Sequence, residues 1–189
     1  MRRTDALCSQ AEHASLAPPS PWVQRWARLV PSTAAVLDLA CGRGRHARLF
    51  AARGNSVLAV DRDAGALAGL AGVPRVQTLC TDIESGPWPL AGRRFGAIVV
   101  TNYLHRPLFS ALLDALEADG VLIYETFAQG NERFGKPSNP DFLLRPGELL
   151  EVVRDRLRVL AFEDLFVDAP RPAMVQRVCA VGPAFVLGP

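Results

Sequence analysis

The chain has 189 residues, 49% of them apolar and 21% charged, with a formal net charge of +2. That length favours one domain with a real core, and the composition is ordinary for a globular protein. So balanced a charge leaves no electrostatic footprint for nucleic acid, and no apolar run approaches the roughly 20 residues that span a bilayer. Arg2-Arg3 is not followed by a hydrophobic export segment. The cysteines Cys8, Cys41, Cys80 and Cys179 show no C-x-x-C spacing, so neither a zinc site nor a disulfide framework is expected. The expectation is a reduced, cytoplasmic, metal-free protein.

Residues 1–20 mix small and polar residues and end in Ala17-Pro18-Pro19-Ser20, which reads as a loosely ordered arm before a single domain over 21–189. Trp22, Trp26, Leu29 and Val30 fall at helical spacing, with Ser20 placed to cap and Pro21 in the first turn. From Val36 strand and helix alternate. Strands are predicted at Val36–Ala40, Ser56–Val60, Arg75–Cys80, Phe95–Val100 and from Gly120 to Tyr124. Helices are predicted at Arg45–Arg53, closed by Gly54-Asn55, and at Ala64–Leu70, Pro107–Glu117 and Pro146–Arg154. In the last of these, Glu148 and Glu151 suit the N-terminal end of the helix dipole. The final runs, Leu157–Val167 and Ala173–Gly182, have no helix between them and are expected to pair antiparallel. Repeated alternation implies right-handed crossovers and a mostly parallel α/β sheet with helices on both faces.

The most informative stretch is Val36-Leu37-Asp38-Leu39-Ala40-Cys41-Gly42-Arg43-Gly44-Arg45-His46-Ala47. A buried strand carrying an acid runs into a turn of small residues and then a helix start, where backbone amides favour negative charge. Gly42-x-Gly44-x-x-Ala47 also satisfies the relaxed dinucleotide fingerprint, and a plain strand-to-helix turn is the bland alternative. Asp38 separates these readings. A carboxylate beside an anion-friendly loop suits a ligand with adjacent cationic and anionic groups, as S-adenosylmethionine has, and does not suit a pyrophosphate.

In open α/β sheets ligands lie beyond the carboxyl ends of the strands. Those ends carry Asp38, Asp61-Arg62, Thr81-Asp82-Ile83, Thr101-Asn102-Tyr103 and Tyr124-Glu125. Asp61 is positioned to accept both ribose hydroxyls, Asp82 to accept from an adenine amino group and Ile83 to pack on the ring. Ala40, Gly42, Gly44, Arg62 and Thr101 complete the expected cofactor surface. Each acid has a structural alternative as a helix cap, a turn cap or an arginine partner.

The pattern Asp38-x-Ala40-x-Gly42-x-Gly44, Asp61, Asp82-Ile83 resembles the class I S-adenosylmethionine-dependent methyltransferases, over residues from about 22 to the end. The resemblance implies a Rossmann-like, doubly wound, seven-stranded sheet with a reversed C-terminal hairpin, and methyl transfer to a small acceptor. Ala40 stands where that family has its first glycine, an expected mild change. Asn102 to Pro107, Ile123 to Phe127 and Asn139 to Leu149 look more narrowly like small bacterial methyltransferases near the tellurite-resistance group. In tellurite methyltransferases a histidine and arginines near the C-terminus are placed at the acceptor. Here Arg171 and Arg177 stand in that region, and no histidine follows His105.

Methyl transfer is an in-line displacement that needs a general base only when the nucleophile arrives protonated. His105 is the candidate base, with a helix cap or a surface position as alternatives. Tyr103 and Tyr124 are candidates to orient the acceptor or line the pocket, or else to bury a ring with a paired hydroxyl. His46 reads as structural or cofactor-adjacent. The long loop from Phe127 to Arg145 reads as a lid or a solvated segment, carrying Arg133, Lys136 and Arg145. Thr-Asn-Tyr-Leu at the fourth strand is not an Asn-Pro-Pro-Tyr type, so no nucleic-acid partner is expected. An NAD(P)-linked oxidoreductase and a non-catalytic cofactor-binding protein are the competing classes.

Overall fold

Val36, Leu37 and Leu39 have no solvent exposure, so the strand they form, β1 (Ala35–Leu39), must lie at the middle of a sheet covered on both faces. The protein is described here by a computed structural model that covers residues 16–187. Most of the predicted arm, with Cys8 and His13, lies outside the described residues. The remaining strands are β2 (Ser56–Asp61), β3 (Val76–Cys80), β4 (Phe95–Thr101), β5 (Leu116–Phe127), β6 (Arg158–Val167) and β7 (Ala173–Val181). They form one seven-stranded sheet in the order β3-β2-β1-β4-β5-β7-β6. Pairs among β1 to β5 are parallel, and β7 runs antiparallel between β5 and β6. This is the mostly parallel sheet with a reversed final hairpin that the sequence predicts. Chain order reverses between β1 and β4, which opens a crevice at their carboxyl ends.

Among the described residues, five α-helices cover the faces: α1 (Pro21–Trp26), α2 (Arg45–Ala52), α3 (Ala64–Ala68), α4 (Phe109–Asp114) and α5 (Glu148–Val153). Trp22, Trp26, Phe50, Leu67 and Leu70 pack with Val36, Val99 and Ile123 on one face. Leu112, Leu113, Leu149 and Val153 pack with Leu37, Ile98 and Leu122 on the other. Ser20 caps α1 by accepting from the Trp22 amide, with Pro21 in the first turn. Among the described residues no helix is long and apolar enough to cross a membrane.

Several boundaries differ from expectation, and tertiary pairing is the reason. The helix predicted over Pro107–Glu117 is a 3₁₀ turn, Arg106–Leu108, followed by α4. Its last residues belong to the sheet instead, because Leu116 is in register with Phe95 and the Phe95 amide donates to the Ala115 carbonyl at 2.9 Å. The helix predicted from Pro146 begins only at Glu148, after Gly147 takes φ +73°. Glu148 is not a solvated dipole charge. Its carboxylate is buried and accepts from Arg106 at 2.7 and 3.0 Å and from the Arg145 amide at 2.8 Å. Gln176, fully buried, serves α5 by accepting from the Leu149 amide and donating to the Arg145 carbonyl.

Candidate active site

The turn after β1 is built on three consecutive demands for left-handed backbone. Ala40 has φ +52°, Gly42 +54° and Gly44 +75°. At Gly44 a Cβ would lie 2.5 Å from the buried Leu70 side chain, so glycine is required there for packing as well as conformation. At Gly42 a Cβ would meet nothing within 4 Å. The outer side of the loop at Gly42 is therefore open, which leaves its main chain free to be approached closely. Ala40 is less mild a replacement than its size suggests, because a left-handed alanine costs about 1 kcal/mol. Ala40→Gly is expected to raise the melting temperature by about 2–4 °C in a thermal scan.

Gly44 is the N-cap of α2 and has no side chain to offer. Asp38 supplies the cap from β1, accepting from the Ala47 amide at 2.8 Å. Its carboxyl is 1% exposed, and burial raises its pKa to about 7 against the opposing pull of the Ala47 hydrogen bond and Arg45. Asp38 thus holds the loop against the helix from beneath. Asp61, at the end of β2, holds it from the side: one oxygen accepts from the Gly42 amide at 2.7 Å and the other from the Asp63 amide at 2.9 Å. Each of those oxygens retains a further lone pair.

Beside the loop lies a cleft of about 190 Å³ lined by Ala40, Asp61, Arg62, Thr81, Asp82, Ile83, Glu84 and Tyr103. Five of the predicted cofactor residues meet here: Ala40, Asp61, Arg62, Asp82 and Ile83. Ile83 provides an apolar wall at 9% exposure. Asp82 is exposed, and the hydrogen bond from the Glu84 amide is the main cause holding its carboxyl below the usual range. Tyr103, read from sequence as a group that could line the pocket, is a member of this wall. Its hydroxyl is closed off from solvent and has no hydrogen-bond partner among the described residues. Burial, and then the neighbouring Glu84 carboxylate, raise its pKa, so it remains a proton donor.

Thr101 borders the same crevice from β4, one residue past the Val100–Leu39 pair. Its hydroxyl lies 3.4 Å from His46 Nδ1. His46, in the first turn of α2, is 1% exposed, and its Nε2 accepts from the Ser20 amide at 3.1 Å. Burial pushes its pKa down to about 3, so the ring is neutral. The Ser20 hydroxyl donates to Glu125 at 2.7 Å, and the other Glu125 oxygen accepts from Arg177 at 3.0 Å. Arg177 also pairs with Glu163 at 2.6 Å and stacks on Trp22, with 5.0 Å to the ring centroid. The segment before α1 is thereby clasped to both α2 and the end of β5. Ser20 is legible in the sequence only as a helix cap, since nothing local shows its long-range partners.

On the other half of the rim Tyr124 and His105 take the structural alternatives that the sequence left open, a buried ring with a paired hydroxyl and a helix-cap position. Tyr124 is buried beneath the crevice with its hydroxyl donating to the Tyr103 carbonyl at 2.8 Å, a support for Tyr103 rather than a free group. His105 is half-buried at the start of the 3₁₀ turn that begins at Arg106. Asn102, with φ +56°, turns the chain there and donates its amide to the Glu125 carbonyl at 2.9 Å. Arg106 and Arg177 are each held by buried or half-buried carboxylates, and Arg145 lies against Glu148 at 3.5 Å. Arg106 also donates to the carbonyls of Asp141 and Leu143, which ties the 128–145 loop to the rim.

Residues 36–120 match the family model described as a methyltransferase domain. No curated protein sequence matches significantly. Among solved structures, TehB from Haemophilus influenzae superposes with a TM-score of 0.73 at 18% identity. That match covers 90% of this chain and 64% of TehB, so the chain spans under two thirds of that protein's length. A TehB-like S-adenosylmethionine-dependent methyltransferase from Corynebacterium glutamicum gives 0.63 at 20% identity, covering 85% of this chain and 86% of that one. The glycopeptide N-methyltransferase MtfA, complexed with S-adenosylhomocysteine, gives 0.62 at 21% identity, covering 94% and 95%. From β1 into the start of β5 the chain matches a methyltransferase-domain model, and across most of its length it shares the fold of these S-adenosylmethionine-dependent methyltransferases.

Proposed function

We propose that this protein binds S-adenosylmethionine at the β1–β2–β3 end of the rim and transfers its methyl group to a small-molecule acceptor held over β4 and β5. The observation that carries this reading is Asp61. Its carboxylate fixes the glycine loop through the Gly42 amide and also lines the adjoining cleft, so loop and cleft form one surface. The residues present fit the cofactor. The open side of Gly42 admits its amino-acid tail, Asp61 accepts from ribose hydroxyls, Asp82 accepts from the adenine amino group and Ile83 packs on the ring. Tyr103 walls the adenosyl half from the β4 side, beside Glu84. Bound there, the cofactor supplies an electrophilic methyl carbon on a sulfonium.

The chain's own part is to position and to exclude water. Asp38 and Asp61 hold the loop rigid through backbone amides, and the Ser20 clasp closes the tail end of the crevice. Holding the two reactants at attack distance supplies most of the acceleration that such a displacement needs. His105 borders the acceptor half and serves as base for a nucleophile that arrives protonated. The arginines there are neutralised by Glu148, Glu125 and Glu163, which favours an uncharged or cationic acceptor over an oxyanion. The cysteines Cys41, Cys80 and Cys179 are free, in keeping with a reducing cytoplasmic setting. The test is S-adenosylhomocysteine formation with a panel of thiols, amines, carboxylates and oxyanions. Turnover is expected with a thiol or amine, and turnover confined to oxyanions contradicts the acceptor half of the reading.

A further inference from the structure

The neutral imidazole of His46 is not among the residues lining the cleft, yet it is buried between a group that can only donate and a hydroxyl that can do either. The Ser20 backbone amide is a donor only, and it points at Nε2 at 3.1 Å. Nε2 must therefore be the unprotonated nitrogen, which places the ring proton on Nδ1. Nδ1 lies 3.4 Å from the Thr101 hydroxyl oxygen, so that oxygen receives the ring proton. A hydroxyl that accepts at its oxygen is left with its own hydrogen to direct elsewhere. Thr101 stands at the carboxyl end of β4, one residue past the Val100–Leu39 pair, which sets it next to Ala40 at the end of β1, itself part of the cleft wall.

We infer that His46 is a positioning residue: the Ser20 amide fixes its tautomer, and the ring then turns the Thr101 hydroxyl into a donor aimed at the carboxylate of the cofactor's amino-acid tail. This rests on the cofactor reading above. It is independent of the acceptor and of any catalytic base. The carboxylate is the one strong acceptor at the tail end of the molecule, and the open side of the loop at Gly42 leaves room for that tail. The clasp at Ser20 then has a chemical consequence beyond holding the chain, since without its amide either ring nitrogen carries the proton and Thr101 loses its direction.

Two isosteric replacements separate this role from a merely structural one. In His46→Asn the side-chain amide nitrogen stands where Nδ1 stood and still donates to Thr101. In His46→Gln the amide reaches the Nε2 position and still accepts from Ser20, so it preserves the clasp and not the donor. Calorimetric affinities for S-adenosylhomocysteine and for methylthioadenosine, which lacks the amino-acid tail, give the readout. His46→Asn is expected to bind S-adenosylhomocysteine within about threefold of wild type, and His46→Gln and Thr101→Val about five- to tenfold more weakly, the scale of one hydrogen bond. Methylthioadenosine affinity is expected to stay within about twofold in all three. The double variant His46→Gln, Thr101→Val should lose no more than either change alone. The inference is overturned if His46→Asn is no better than His46→Gln, or if methylthioadenosine loses affinity in parallel. If the unmodified protein binds methylthioadenosine and S-adenosylhomocysteine not at all, the cofactor reading itself fails, and this one with it.

Discussion

Asp61→Ala is expected to weaken S-adenosylmethionine binding by about ten- to a hundredfold, the scale of losing charge-assisted hydrogen bonds to a ribose. The effect has two sources. The carboxylate is removed from the cleft, and the Gly42 amide loses its 2.7 Å acceptor, so the loop is less well held. Asp61→Asn separates them: one amide-accepting oxygen survives while the charge is lost, so an intermediate loss of about tenfold is expected. Calorimetric titration of the three proteins measures this. Equal affinities would remove Asp61 from the cofactor, and a matching fall in melting temperature with unchanged affinity would make it a loop anchor alone.

Asp38→Asn is expected to change how stability depends on pH. The folded carboxyl, with its pKa raised to about 7 by burial, holds a proton that the unfolded chain has released above about 3.8. The stability contributed by protonation is therefore full below pH 3.8 and is lost as pH rises to about 7, an effect on the order of 4 kcal/mol. His46 works in the opposite sense. Its folded pKa near 3 lies below the ordinary 6.5, so its contribution is present above pH 6.5 and lost as pH falls. The two slopes oppose each other between about pH 4 and 6.5, and the wild-type profile should be nearly flat there. Removing the Asp38 titration leaves the His46 slope, so Asp38→Asn should become more stable as pH rises through this window. Urea midpoints at half-unit pH steps read this directly, and a profile parallel to wild type would contradict it. A cationic cofactor head over the loop favours ionised Asp38, so wild-type affinity should rise with pH up to about 7, and affinity in Asp38→Asn should not.

The fold was legible because strands ending in acids alternate with short helices, and because the last two apolar runs have no helix between them. The boundaries that moved did so where pairing partners are distant. Leu116 leaves a helical pattern to meet Phe95, and Glu148 leaves a helix dipole to meet Arg106. The placement of the candidate cofactor residues was also legible, since Ala40, Asp61, Arg62, Asp82 and Ile83 lie at or just past strand ends and meet in one cleft. Long-range contacts were not. Ser20 reaches His46, 26 residues away, and Glu125, 105 away, and a cap signal in sequence says nothing of either. The same holds for Tyr124, whose hydroxyl was a candidate for the acceptor and supports Tyr103 from below. Asp38 shows the intermediate case. Its discordance with an anion-friendly loop is visible in sequence, while its use as the missing cap of α2 follows only from the geometry.

The loop before α2 was claimed from sequence by two cofactor classes, and its geometry is where they part. Asp61, whose carboxylate fixes the loop and lines the adjoining cleft, faces a ligand there with negative charge, which suits an amino-acid tail bearing an ammonium better than a pyrophosphate. Calorimetric titration of the full chain with S-adenosylmethionine and with NAD, under one buffer, tests this most directly. The account predicts a saturable one-to-one isotherm with S-adenosylmethionine and none with NAD at the same concentration. Tighter binding of NAD would contradict it.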